Sequence, residues 1–153
     1  MRASRKVDYA LRAMGYLAGM PRESVTLVSE IAENQGIPKG FLSKILKNLV
    51  NRGLLQSHLG PGGGYSLARD AADITFLDVH EAIEGSLLVM DCGHGPDVCS
   101  RRDGCAQLPV WRNLERVIHD VLGHVTIEDM RRELASADTS TRYAPPGRGP
   151  RDR

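Results

Sequence analysis

Apolar residues recur at helical spacing from the start of the chain. Val7, Ala10, Leu11, Met14, Leu17 and Ala18 share one face, Ser4 stands at the N-cap position, and Pro21 ends the run. The pattern predicts a second, short helix capped by Thr26, with Leu27, Val28, Ile31 and Ala32 inside and a turn at Gly36. A third helix is predicted over about 38–51, with Pro38 in its first turn. Phe41, Leu42, Ile45, Leu46 and Leu49 form its buried face, and Gly53 closes it. Residues 54–59 and 65–67 read as short strands around the glycine-rich turn GPGGG at 60–64. Thr75 opens a helix with Leu77, Ala82 and Ile83 inward. Periodicity then stops across 86–107. Pro109 opens a long helix striped by Val110, Trp111, Leu114, Val117, Ile118, Val121 and Leu122, and Thr126 caps a last helix to about Leu134.

The pattern predicts a mainly α fold with a small β-wing. A winged helix-turn-helix domain occupies 1–85, a cysteine loop 86–107, the long helix and a short C-terminal helix 108–135, and a Ser/Thr/Pro/Gly/Arg-rich tail 136–153. No apolar run is long enough to span a bilayer and residues 1–17 lack a signal-peptide pattern, so a cytoplasmic protein without a membrane partner is expected. The net charge of +1 conceals an asymmetry. Residues 1–69 carry 10 Lys/Arg against 4 Asp/Glu, giving +6; residues 70–153 carry 10 against 15, giving −5. A basic N-terminal half suits a polyanion.

The helix over 38–51 is the one expected to enter a DNA major groove. Its outer face offers Lys39, Ser43 and Lys47 at four-residue spacing, with Lys44 beside them. These side chains reach phosphates or base edges. Gly40 allows close backbone approach, Phe41 lies next to it, and His58, Gly62 and Gly63 belong to a wing that can follow the adjacent groove or backbone.

Three cysteines, Cys92, Cys99 and Cys105, are the only ones in the chain and lie within fourteen residues. An odd number in a chain expected to be cytoplasmic argues against a disulfide framework. Thiolates hold zinc and iron–sulfur clusters, but structural zinc sites commonly pair cysteines more closely. The glycines around these cysteines leave the loop able to wrap a multi-iron core.

The runs SRKVDYALRA at 4–13, SEIA at 29–32, IPKGFL at 37–42, LKNL at 46–49, GLL at 53–55, GPGGGY at 60–65 and ITFLDV at 74–79 resemble the IscR/NsrR/RirA (Rrf-type) family of winged-helix regulators. The resemblance covers roughly residues 1–134. It implies a homodimer whose long C-terminal helices pair, bound to a palindromic double-stranded DNA operator. It further implies that Cys92, Cys99 and Cys105 ligate an iron–sulfur cluster, 4Fe–4S or 2Fe–2S. Some relatives add a histidine three residues after the last cysteine, where this chain has Leu108; in NsrR-like relatives an aspartate of the partner's first helix completes the set, and Asp8 matches it. Two further departures are Gly40 in place of a polar residue and Leu59 where relatives often carry a wing arginine. A regulator, most simply a repressor, sensing nitric oxide, redox state or iron–sulfur status follows. The alternative is a cluster-free winged-helix repressor that senses a thiol modification or a ligand. No nucleophile–base constellation, phosphate loop or zinc-hydrolase motif occurs, so an enzyme is not expected.

Overall fold

The computed structural model describes residues 4–90 and 104–136, with side chains described to Glu133. The element order is α1 (Arg5–Ala18), α2 (Val28–Gln35), α3 (Lys39–Asn51), β1 (Leu55–His58), β2 (Gly64–Leu67), α4 (Phe76–Glu84), α5 (Leu108–His124) and α6 (Ile127–Ser136). This is a mainly helical fold with a two-stranded wing, as the periodicity predicts.

The core forms where the apolar faces of these helices converge. Val7, Ala10, Met14, Ile31, Leu42, Leu46, Leu49, Ile74, Val79 and Ile127 are all essentially inaccessible to solvent. Helix α1 is the axis of the domain, packing against α2, α3, α4 and α6. Its start is fixed by Ser4, whose hydroxyl accepts from the Val7 N–H at 3.3 Å and donates to Glu84 at 2.6 Å. That second bond ties the start of α1 to the end of α4.

Four local expectations are corrected. Thr26 does not cap α2; Leu27 holds that position. Thr26 instead exchanges backbone hydrogen bonds with Tyr65 at 3.0 and 2.9 Å, adding a third extended segment beside the wing, and this turns Leu27 outward. Phe41 is 40% exposed, its ring edge meeting Tyr9 at 5.7 Å, so it lies at the rim of the α3 core face. In α4 the fully buried residue is Val79, whereas Leu77, Ala82 and Ile83 are half-buried. The strands are one or two residues shorter or shifted, with register Leu55↔Leu67 to His58↔Gly64.

The two caps expected after the wing do form. Thr75 and Asp78 make a capping box at α4, and Thr126 and Asp129 exchange the same pair of bonds at α6. The Thr126 hydroxyl and N–H hold the Asp129 carboxyl below the usual carboxylate range. Hydrogen bonding from Arg131, assisted by Arg132, draws the neighbouring Glu128 down to about 2. Between these caps, Phe76 N–H donates to Val125 and Ile127 N–H donates to Ile74, so the end of α5 and the start of α6 are stapled to the domain. Helix α6 thereby packs along α1 with Ile127 in the shared core. Helix α5 packs mainly on α4 and buries none of its own residues fully.

Candidate nucleic-acid interface and cysteine loop

Helix α3 exists because Leu42, Ile45, Leu46 and Leu49 bury one face, and that burial dictates what the opposite face presents. Lys39, Gly40, Lys44 and Lys47 are all exposed there. Asn48 and Asn51 are exposed too. Sequence reading by positive charge passed over these two amides, although a carboxamide can pair bidentately with adenine. Ser43 is half-buried and its hydroxyl donates to the Lys39 carbonyl at 2.9 Å, so a base contact would have to break that bond. A Cβ at Gly40 would meet nothing within 4 Å, which leaves the bare backbone open to an incoming duplex.

The wing begins immediately after α3, through Gly53 in the left-handed region. Gly62 has φ +81°, and a Cβ on Gly63 would stand 2.3 Å from the His58 carbonyl oxygen. The turn itself therefore demands both glycines. His58 is exposed, with Nε2 2.8 Å from the Ser66 hydroxyl, which lays its ring along the hairpin.

Replacing Lys44 and Lys47 together with alanine leaves the core untouched. It is expected to weaken operator binding and to reduce the slope of log K against log salt by about 1.8, two lost phosphate contacts. A titration series across salt concentrations reads this; an unchanged slope would remove these lysines from the interface.

Of the candidate cluster ligands, Cys92 and Cys99 lie outside the described residues. Cys105 is a free, half-buried thiol just ahead of α5, and its carbonyl accepts from the Leu108 N–H at 3.3 Å. Asp8 sits in the first turn of α1, its side chain 57% exposed, facing Arg12 at 3.8 Å. Arg12 is also engaged by the Gln35 carbonyl and lies over the Tyr9 ring, so its hold on Asp8 is loose. Among the described residues no three His, Cys, Asp or Glu side chains gather around a possible metal position. Of the other histidines, His119 Nε2 is 3.1 Å from the Leu87 carbonyl oxygen and His124 Nδ1 is 2.5 Å from that of Asp120.

Helix α5 is amphipathic, yet Val110, Leu114, Val117 and Val121, along one side of it, stay 41–66% exposed. Among the described residues no helix is long and apolar enough to cross a membrane.

A helix-turn-helix with a basic, outward-facing second helix and a glycine-turned wing defines a winged-helix, DNA-binding transcriptional regulator rather than an enzyme. The chain belongs to the Rrf2 family, described as iron-dependent transcriptional regulators, whose model matches residues 3–133. It is 40% identical over 131 residues to the Rv1287 protein of Mycobacterium tuberculosis, covering 85% of this chain and 81% of that one. It is 33% identical over 142 residues to the HTH-type transcriptional regulator IscR of Xenorhabdus nematophila, covering 93% and 86%. Among solved structures it resembles T. potens IscR, with TM-score 0.72 and 29% identity over 94% of this chain and 95% of that one. It also resembles CymR, the global cysteine regulator of B. subtilis, with TM-score 0.68 and 27% identity over 86% and 97%.

Proposed function

We propose that this regulator is a homodimeric, cytoplasmic repressor whose grip on a palindromic operator is controlled by an iron–sulfur cluster. The observation that carries the reading is the position of Cys105. A free thiol stands at the head of α5, a long helix whose apolar side is left exposed among the described residues. A change at that thiol reaches directly the helix that would pair two subunits.

Two of the proposed cluster donors, Cys105 and Asp8, lie among the described residues, and a thiolate and a carboxylate are both donors that iron accepts. Cys105 is unpaired and accessible, and the Asp8 carboxylate is exposed enough to be offered to a second subunit. Cys92, Cys99 and Cys105 would supply three thiolates and Asp8 of the partner subunit an oxygen. When bound, the cluster supplies a labile, redox-active centre that reacts with nitric oxide or oxygen, or reports iron supply. The chain's own residues do the rest. A ligand change at Cys105 would act on the start of α5, and α4, which α5 packs against and which is bonded to its far end from Phe76 to Val125, would carry that change to α1. The spacing of the two α3 helices across the operator is what changes.

A second reading, a cluster-free repressor that senses through the thiols themselves, goes with the likeness to CymR, a cysteine regulator. Anaerobic purification followed by an absorption spectrum and iron and acid-labile sulfide analysis separates the two. A brown protein with iron and sulfide in equal amounts is expected. A colourless protein that cannot be reconstituted would leave the thiol-based reading in its place.

A further inference from the structure

Sixteen consecutive residues, from Gly53 to Ala68, contain no Lys, Arg, Asp or Glu. They comprise the whole wing. A wing of this kind has no fixed charge with which to hold a phosphate. His58, its one imidazole, is turned onto the Ser66 hydroxyl at 2.8 Å. At the start of the turn stands Leu59, 98% exposed, the most solvent-exposed of the large apolar side chains described.

The turn that carries Leu59 is not a loose loop. Gly63 N–H donates to the Gly60 carbonyl at 2.9 Å, Gly60 and Gly62 hold φ of +100° and +81°, and the strands pair in register up to His58↔Gly64. Gly64 has no room for a Cβ, because it would stand 2.2 Å from the Thr26 carbonyl oxygen. The extended segment at Thr26 therefore braces the wing from its other side. A rigid, neutral hairpin follows directly on the basic helix α3 and holds one apolar side chain out in water.

We propose that Leu59 is a specificity-determining contact of the wing, seated on the minor-groove floor and sugar edges beside the major groove that receives α3. This rests on α3 being the DNA-facing helix. The duplex edges that can accept an apolar side chain are sugars and the groove floor, whereas phosphates reward cations. In the minor groove A·T and T·A present nearly the same floor, and a G·C pair adds the guanine N2 amino group. Leu59 would collide with that amino group and strip its water without returning a hydrogen bond. The wing therefore selects A·T or T·A, without distinguishing them, at the base pairs beneath it. Its share of binding is insensitive to salt.

The test uses the full-length protein and a duplex that it selects itself from a random-sequence library, with the wing position located by footprinting. Leu59→Ala is expected to weaken binding about tenfold with an unchanged salt slope. Guanine at the wing position is expected to weaken wild-type binding about tenfold, and inosine in its place, lacking the amino group, to restore it. Leu59→Ala should lose that discrimination, and Leu59→Arg should steepen the salt slope by about 0.9. Leu59 is fully exposed, so neither variant threatens the fold. Wild-type indifference to guanine, or unchanged affinity in Leu59→Ala while Lys44→Ala/Lys47→Ala is weakened, overturns the proposal alone. If the lysine variant is also unaffected, the assignment of α3 falls and this contact falls with it.

Discussion

Replacing Cys105 with alanine is expected to leave a folded, DNA-binding protein that no longer responds to its signal. The thiol is half-buried, lies outside the core and makes no disulfide, so the substitution removes the proposed ligand without opening a cavity. In the wild-type protein a response of about 100-fold in operator affinity requires about 2.7 kcal/mol of coupling between the cluster and the DNA-competent dimer. Without one thiolate the remaining donors hold iron poorly, and that coupling has nothing to act through. Operator affinity should then sit at the cluster-free value, whichever sense that is, and move by less than about twofold on exposure to nitric oxide or to a chelator. The measurement pairs iron and sulfide content with operator titrations before and after exposure. Wild-type iron content and a wild-type response in this variant would refute ligation by Cys105 and the mechanism built on it.

The helices of this fold were legible because each has one cause that leaves a trace in sequence. Period-3.6 burial marks α1 and α3, and Ser4, Thr75 and Thr126 mark starts with hydroxyls that do bond back to the next turn. Thr26 misled for an instructive reason. Threonine ahead of an apolar run is equally a cap or a strand residue, and the choice depends on Tyr65, thirty-nine positions away, offering its backbone. Phe41 misled because an aromatic at the edge of a helix stripe can point either way, and only the position of Tyr9 decides. At the candidate DNA face, the charged positions could be read because charge is explicit in the sequence. The exposure of Asn48 and Asn51 follows from the same predicted buried face of α3, but an amide carries no charge to mark it as a DNA contact. The glycines of the wing read as a turn, and two of them are also a matter of space: Gly63 and Gly64 stand where backbone from His58 and Thr26 leaves no volume for a methyl. Helix α6 is a further case. Its sequence placed it after the long helix, and its backbone pairing at Ile74 and Ile127 returned it to α1.

Introducing glutamate at both Val117 and Val121 is expected to dissociate the dimer and, with it, high-affinity operator binding. These side chains are half-exposed in the single chain, so both changes are benign for the fold of the subunit. They matter only if a second copy covers them. The stripe Val110, Leu114, Val117 and Val121 repeats every three or four residues along α5, the spacing that seats one helix in the groove of another. The remaining side of α5 is occupied: it lies on α4, His119 is bonded to the Leu87 carbonyl, and the helix end is stapled at Val125. The exposed side therefore has no alternative cover within the described part of the chain. Losing two buried valines from each protomer and forcing carboxylates together in an apolar seam costs about 4 kcal/mol or more, roughly a thousandfold in the dimer dissociation constant. A single subunit keeps one recognition helix and one wing and so grips one half-site, without the effective concentration that the second half-site adds. Sedimentation or light scattering reads the first effect and operator titration the second, while circular dichroism checks that the helices persist. A variant that stays dimeric would show that α5 does not make the seam. One that turns monomeric yet binds the full operator as tightly as wild type would show that the two recognition helices do not act as a pair.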